Sequence, residues 1–179
     1  MHQEVRRMVP GADRAILFIH GILGTPDHFL PFLQLVPPEV SIYNLLLDGH
    51  GGDVRDFSRS SMPKWETQVG AAVRELSRSH QEIVIAAHSL GALLAMGQAV
   101  QCPQITRLFL LAAPLRLSLK GHMVTNSLKV YFDRIRPDDG PALAAKRCCS
   151  ITHSPNPLLY FGWIPGFGSC SEKLPPHGS

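Results

Sequence analysis

No stretch of this 179-residue chain approaches the ~18 consecutive apolar residues that a membrane-spanning helix requires. The run Ala15 to Ile19, downstream of Arg6-Arg7, is too short for the core of a signal peptide and is better used as a strand. Cysteine is scarce: the four residues Cys102, Cys148, Cys149 and Cys170 match neither a zinc-binding spacing nor a Cys-x-x-Cys redox pair. The adjacent Cys148-Cys149 pair makes a poor disulfide framework, so reduced thiols and a cytoplasmic location are expected. Charge is also sparse, at 17% of residues with a net of +3, and no dense Lys/Arg patch interleaves with aromatics. Nucleic-acid binding therefore has no electrostatic footing. A Walker loop, a dinucleotide fingerprint and a His/Asp/Glu cluster of metal-ligand spacing are all missing, so neither cofactor nor metal is expected. The oligomeric state is left open.

What is present is a hydrophobic content of 45%, enough for one folded domain at this length. Short apolar runs alternate with helical periods through the first half, the pattern of stacked βα units around a mostly parallel sheet. Strands are predicted at Ala15 to Ile19, Val40 to Leu47, Glu82 to Ala87 and Ile105 to Ala112. Thr25-Pro26-Asp27 opens a predicted helix with a capping hydroxyl, a proline in its first turn and an acid at its positive end. Its apolar residues, taken to face inward, are Phe29, Leu30, Phe32, Leu33 and Val36. Ser61 and Pro63 start another helix, with Trp65, Val69, Ala72, Val73 and Leu76 at spacings of three and four. A third, rich in Ala and Leu, runs from Ser89 to Val100. The expected organisation is a core over residues 1–114, a lid-like insertion with one amphipathic helix over 115–160, and an unpatterned tail over 161–179.

Ala87-His88-Ser89-Leu90-Gly91 lies where the third predicted strand turns into the Ala/Leu helix. A serine hydroxyl is a weak nucleophile until a base takes its proton, and its tetrahedral adduct needs donors for the oxyanion. Placing the serine on a strained strand-to-helix turn exposes it, provided small residues two before and two after let the elements approach. Ala87 and Gly91 meet that need, with alanine where glycine is commonest, so Ser89 is the candidate nucleophile. His20-Gly21-Ile22-Leu23-Gly24 follows the first strand, and its glycines allow a tight loop whose backbone faces the substrate. Ile22 N–H and Leu90 N–H are the candidate oxyanion donors. Asp48-Gly49-His50-Gly51-Gly52 follows the second strand as a turn.

In this order and spacing, His20-Gly21, Gly49-His50-Gly51 and Ala87-His88-Ser89-Leu90-Gly91 resemble the α/β-hydrolase fold, and within it small bacterial carboxylesterases and monoacylglycerol lipases. The resemblance spans about residues 14 to 115. It implies a three-layer α/β sandwich, an acyl-enzyme on Ser89, oxyanion donors at Ile22 and Leu90, a bracing role for His20 and a small lid over an acyl pocket. With the apolar lid, it points to a small-molecule hydrophobic ester as substrate. Gly21, His88, Gly91 and His50 are expected to be structural near the site.

The same resemblance requires an acid and then a histidine on strands after the lid, and those strands do not follow. A strand with its crossover takes roughly 30 residues and two are required, whereas only about 20 residues follow residue 160. The substitutes within the chain are badly placed: His153 and His122 fall in the lid segment, and Glu172 and His177 in the tail. The chain accordingly reads as the N-terminal part of a longer hydrolase, lacking its last strands and interrupted near Gly166, with the fourth strand left as an apolar edge. Two alternatives are a non-catalytic binding module that kept the fold and an inert fragment. A clean stop codon at the source locus, with no downstream hydrolase-like coding sequence in any frame, would refute the interruption.

Overall fold

A computed structural model of the chain describes residues 2–114 and 136–140. The elements are β1 (Val5–Arg7), β2 (Arg14–Ile19), a 3-10 turn (Pro26–Phe29), α1 (Leu30–Leu33), β3 (Ser41–Leu45), α2 (Val54–Ser58), α3 (Met62–Ser77), β4 (Glu82–His88), α4 (Leu90–Ala99) and β5 (Ile105–Leu111). The strands form one sheet in the order β1-β3-β2-β4-β5. All neighbours are parallel except β1, which runs antiparallel to β3.

Alternate side chains of the central strands serve two layers, as the pleat dictates. Ala15, Leu17 and Ile19 of β2, Tyr43 and Leu45 of β3, and Ile83, Ile85 and Ala87 of β4 join the main core. That core continues through Val54 and Phe57 of α2, the Trp65–Leu76 stripe of α3, and Leu90, Ala92, Leu94 and Ala95 of α4. The opposite face is thinner: Phe18 and Ile42 pack on Phe29 of the 3-10 turn, with Ile16, Leu33, Val36 and Ala86 around them. Burial on both faces explains why β2 and β4 are near-continuous apolar runs. The architecture is the expected three-layer, mostly parallel α/β sandwich.

Three details differ from expectation. β1 and α2 were not anticipated; three residues carry too little period to register, and α2 starts on Asp53, whose carboxylate accepts from Arg55 N–H at 2.7 Å. The helix expected after Thr25 is a 3-10 turn followed by a single α-turn, and the Thr25 side chain makes no cap hydrogen bond. Its apolar residues do not all face inward: Phe29 is buried, whereas Leu30 and Phe32 are exposed. The thin layer has room for only one side of so short an element. Among the described residues β5 ends the sheet, and Phe109 (58% exposed) and Leu111 (46%) lie bare on the thin face. The lid segment's residues 115–135 and 141–160, with His122 and His153, and the whole tail lie outside the described residues.

Trp65, with no exposed surface, joins α3 to the sheet and donates from Nε1 to the Asp48 carbonyl at 2.9 Å. Trp65→Ala is expected to lose ~3–5 kcal/mol of unfolding free energy, whereas Glu66→Ala on the exposed side stays within about 0.5 kcal/mol. Urea titration checks both, and equal losses would contradict this packing.

Candidate active site

The carboxyl ends of β2, β3, β4 and β5 meet at one edge of the sheet, where ligands of open α/β sheets bind. β4 delivers Ser89 there. Its backbone sits at φ 51° and ψ −116°, a conformation that L-residues rarely adopt. Such a residue costs on the order of 1–3 kcal/mol and persists only where its surroundings over-determine it. Three constraints do so. β4 is locked in register between β2 and β5. Ser89 N–H donates to the Leu111 carbonyl at 2.9 Å. From the other side, α4 starts at Leu90 and presses Gly91 onto the end of β2. A methyl group at Gly91 would lie 2.7 Å from the His20 carbonyl oxygen and nearer still to that of Ile19. Ala87 is fully buried in the main core, so the extra methyl of alanine is accommodated there.

The loop after β2 abuts this turn. A Cβ on Gly21 would stand 3.0 Å from Ser89 Cβ and 2.9 Å from His88 Nδ1, so only glycine permits the approach. Gly21 to Gly24 forms a turn closed by Gly24 N–H donating to the Gly21 carbonyl at 3.0 Å, with Leu23 at φ 58°. Ile22 and Leu23 are half-buried against the main core. The structure thus brings together Gly21 and Ser89, with Ile22 in the abutting turn and Leu90 as the first residue of α4.

His20 is fully buried behind the loop. Its Nδ1–H donates to the Gly21 carbonyl at 2.8 Å, and Nε2 accepts from Leu47 N–H at 3.1 Å. Burial, reinforced by the neighbouring His50, pushes its pKa down to about 3. His20 is therefore a neutral tautomer with both nitrogens engaged. His50 Nδ1–H donates to the Asp48 carbonyl at 3.1 Å, and its ring packs among His20, Phe57 and Trp65. Burial lowers its pKa as well. His80 engages Leu76 and Ser41 on other elements. None of these bonds leads to Ser89. Among the described residues no three of His, Cys, Asp and Glu converge as metal ligands.

Two participants escaped the sequence. Leu111, whose carbonyl holds Ser89 N–H, gives no local signal because the contact spans two strands. His28, in the 3-10 turn, meets His88 with ring centroids 5.9 Å apart and planes at 87°. Sixty residues of chain separate them, and no spacing rule reaches so far. His153, His177 and Glu172 lie outside the described residues.

Gly91→Ala is expected to destabilise the fold by about 1–3 kcal/mol or more, because the added methyl meets carbonyl oxygens rather than flexible side chains; an unchanged melting temperature would contradict the geometry. His20 has its folded pKa below the unfolded value of ~6.5. Its contribution is complete above that value and is lost as pH falls toward about 3. Across that window stability should fall with a slope reaching about 1.4 kcal/mol per pH unit in excess of the slope in His20→Asn. Parallel urea titrations of the two proteins would disprove it if their slopes coincided.

No match was found among curated proteins. Among solved structures, the fold is similar to that of a lipolytic enzyme from the metagenome-derived LipS and LipT study, at 21% identity and TM-score 0.56, over 76% of this chain and 52% of that one. It is also similar to MenH from S. aureus, at 16% identity and TM-score 0.59, over 90% and 70%. Monoacylglycerol lipase from Paleococcus ferrophilus aligns at 20% identity and TM-score 0.52, over 75% and 52%. The chain spans about half the length of the first and third of these proteins. At such identities the likeness is one of fold. The model of the Alpha/beta hydrolase family matches residues 16–171. With the sheet order and the strand-to-helix turn at Ser89, that match makes this chain a member of the alpha/beta hydrolase family.

Proposed function

We propose that the protein is a serine hydrolase that cleaves hydrophobic carboxylic esters through an acyl-enzyme on Ser89. The observation that carries this reading is the backbone of Ser89: a costly positive-φ turn, held from three sides, that gives a polar side chain no packing advantage. Strain of this kind clusters at active sites, and a serine on a strained strand-to-helix turn is the form it takes at a nucleophile. Attack of Oγ on the ester carbonyl forms the tetrahedral adduct as a base takes the hydroxyl proton. Collapse returns that proton to the departing alcohol, and water repeats the sequence to release the acid. Ile22 and Leu90 N–H groups are the proposed donors to the oxyanion, aided by the positive end of α4. His20 is assigned the bracing of the Gly21 carbonyl. Its depressed pKa and two engaged nitrogens make it unsuited to proton transfer.

The base and acid are assigned to residues outside those described. His20, His50 and His80 all direct ring nitrogens elsewhere. Preference for a hydrophobic acyl group rests on the apolar side chains beside the turn, half-buried Ile22 and Leu23 and exposed Leu111. Two of the similar structures, a lipolytic enzyme and a monoacylglycerol lipase, agree with that preference. Residues 115–160 are proposed to supply the lid. No helix among the described residues is long and apolar enough to cross a membrane. The free thiol of Cys102 suits the proposed cytoplasmic location.

A fluorophosphonate probe tests the mechanism. Labelling of the intact protein is expected, with complete loss in Ser89→Ala that still melts cooperatively. Unlabelled but folded wild-type protein that binds a fatty acid in a thermal-shift assay would replace this reading with the non-catalytic module.

A further inference from the structure

β4 presents Val84, Ala86 and His88 to the thin layer, while Ile83, Ile85 and Ala87 enter the main core. His88 is thereby aimed away from the helices behind the sheet and toward the 3-10 turn, where His28 meets it edge-to-face. Each imidazole also rests on a different end of the same short loop. A Cβ on Gly21 would be 2.9 Å from His88 Nδ1, and one on Gly24 would be 2.9 Å from His28 Cε1. The two rings therefore bracket the Gly21–Gly24 turn and touch each other above it. Ser89 Cβ would stand 3.0 Å from that same Cβ on Gly21.

The ring nitrogens add a second observation. His28 Nε2 and His88 Nδ1 are shielded from solvent and have no hydrogen-bond partner among the described residues. A bare imidazole nitrogen tolerates such a place as a lone pair. A protonated one would bury an N–H and a charge without an acceptor, at a cost of several kcal/mol. The ring pair is thus built for two neutral histidines, and two imidazolium rings would also repel.

We propose that His28 and His88 act together as positioning residues, an uncharged ring-on-ring clamp that holds the Gly21–Gly24 turn against Ser89 and releases it when either ring gains a proton. This rests on the reading of Ser89 as nucleophile for its catalytic consequence, but the clamp itself is a property of the fold. Burial lowers the pKa of both rings. Like charge from His28 also disfavours a proton on His88, and both rings disfavour one on His20. The one opposing group is Asp27, beside His28, whose carboxylate favours the protonated ring but less strongly than burial disfavours it. Asp27 is itself engaged by His2 at 2.5 Å. The loop between the rings carries no charged side chain.

Hydrogen exchange of the Gly21–Gly24 amides in the full chain, corrected for the chemical rate, reads the clamp without requiring activity. Gly24 N–H, bonded within the loop, is the reporter. His28→Ala and His88→Ala are each expected to speed its exchange by about tenfold, with the double variant no faster than either single. Wild-type exchange should rise by a similar factor between about pH 7 and pH 5. His28→Phe/His88→Phe keeps the ring contact without a titrating nitrogen and should stay slow across that range. Unchanged exchange in both alanine variants, additive effects, or identical pH profiles for wild type and the phenylalanine pair would overturn the clamp. Should the alanine variants fail to fold, the pH profile of wild type against that of the phenylalanine pair, which retains His20 and His50, decides the matter. Fluorophosphonate labelling separates the two ideas. A slow-exchanging loop on an unlabelled wild type would mean that the nucleophile assignment fails and the clamp stands. Labelling rates falling about tenfold in the alanine variants, with exchange loosened in parallel, support both.

Discussion

Holding Ser89 at a positive φ is the constraint on which the surrounding structure depends. An L-residue settles there only if relaxing would break something costlier, and here relaxation is opposed along three directions. The parallel ladder on both sides fixes the direction of β4. The Leu111 carbonyl holds the amide of Ser89. The start of α4 is wedged under the end of β2, with Gly91 against the carbonyls of Ile19 and His20. The hydrophobic core behind the sheet, from Trp65 through Leu90 and Ala92, keeps α4 in that wedge. Core packing and the geometry of one side chain are therefore a single mechanical problem.

The histidines divide by how their nitrogens are satisfied. His20 spends both on backbone partners, which joins the loop after β2 to the segment after β3 and leaves no site for a proton. His50 covers it with one bond and a packed ring, and its Nε2 is likewise shielded without a partner. His28 and His88 each keep one shielded nitrogen without a partner and make contact through their rings instead. All four have lowered pKa values with burial as the principal cause. Burial thus favours neutral imidazole throughout the edge where the strands end.

The resemblance read from three short motifs concerned residues whose reasons are local. Gly21 and Gly91 are glycines because another backbone or side chain passes within a methyl group of each, and Ser89 sits at the junction of an apolar strand with an Ala/Leu helix. β2 and β4 are legible because burial on both faces leaves near-continuous apolar runs. The segment after Thr25 departs from its periodicity for the opposite reason. Its apolar residues satisfy a helical period, yet the layer that receives them is one short turn thick, so Leu30 and Phe32 remain at the surface.

By itself, the sequence determined the four parallel strands, the helices α3 and α4, the strand-to-helix turn that carries Ser89 and the loop that carries Ile22. These follow from periodicity and from residue size at adjacent positions, which are properties of neighbours along the chain. Only the tertiary structure decided that β1 adds antiparallel to β3, that Leu111 holds Ser89 and that His28 meets His88. Those contacts join residues on different elements, and their existence depends on strand order and layer thickness, which no local spacing encodes.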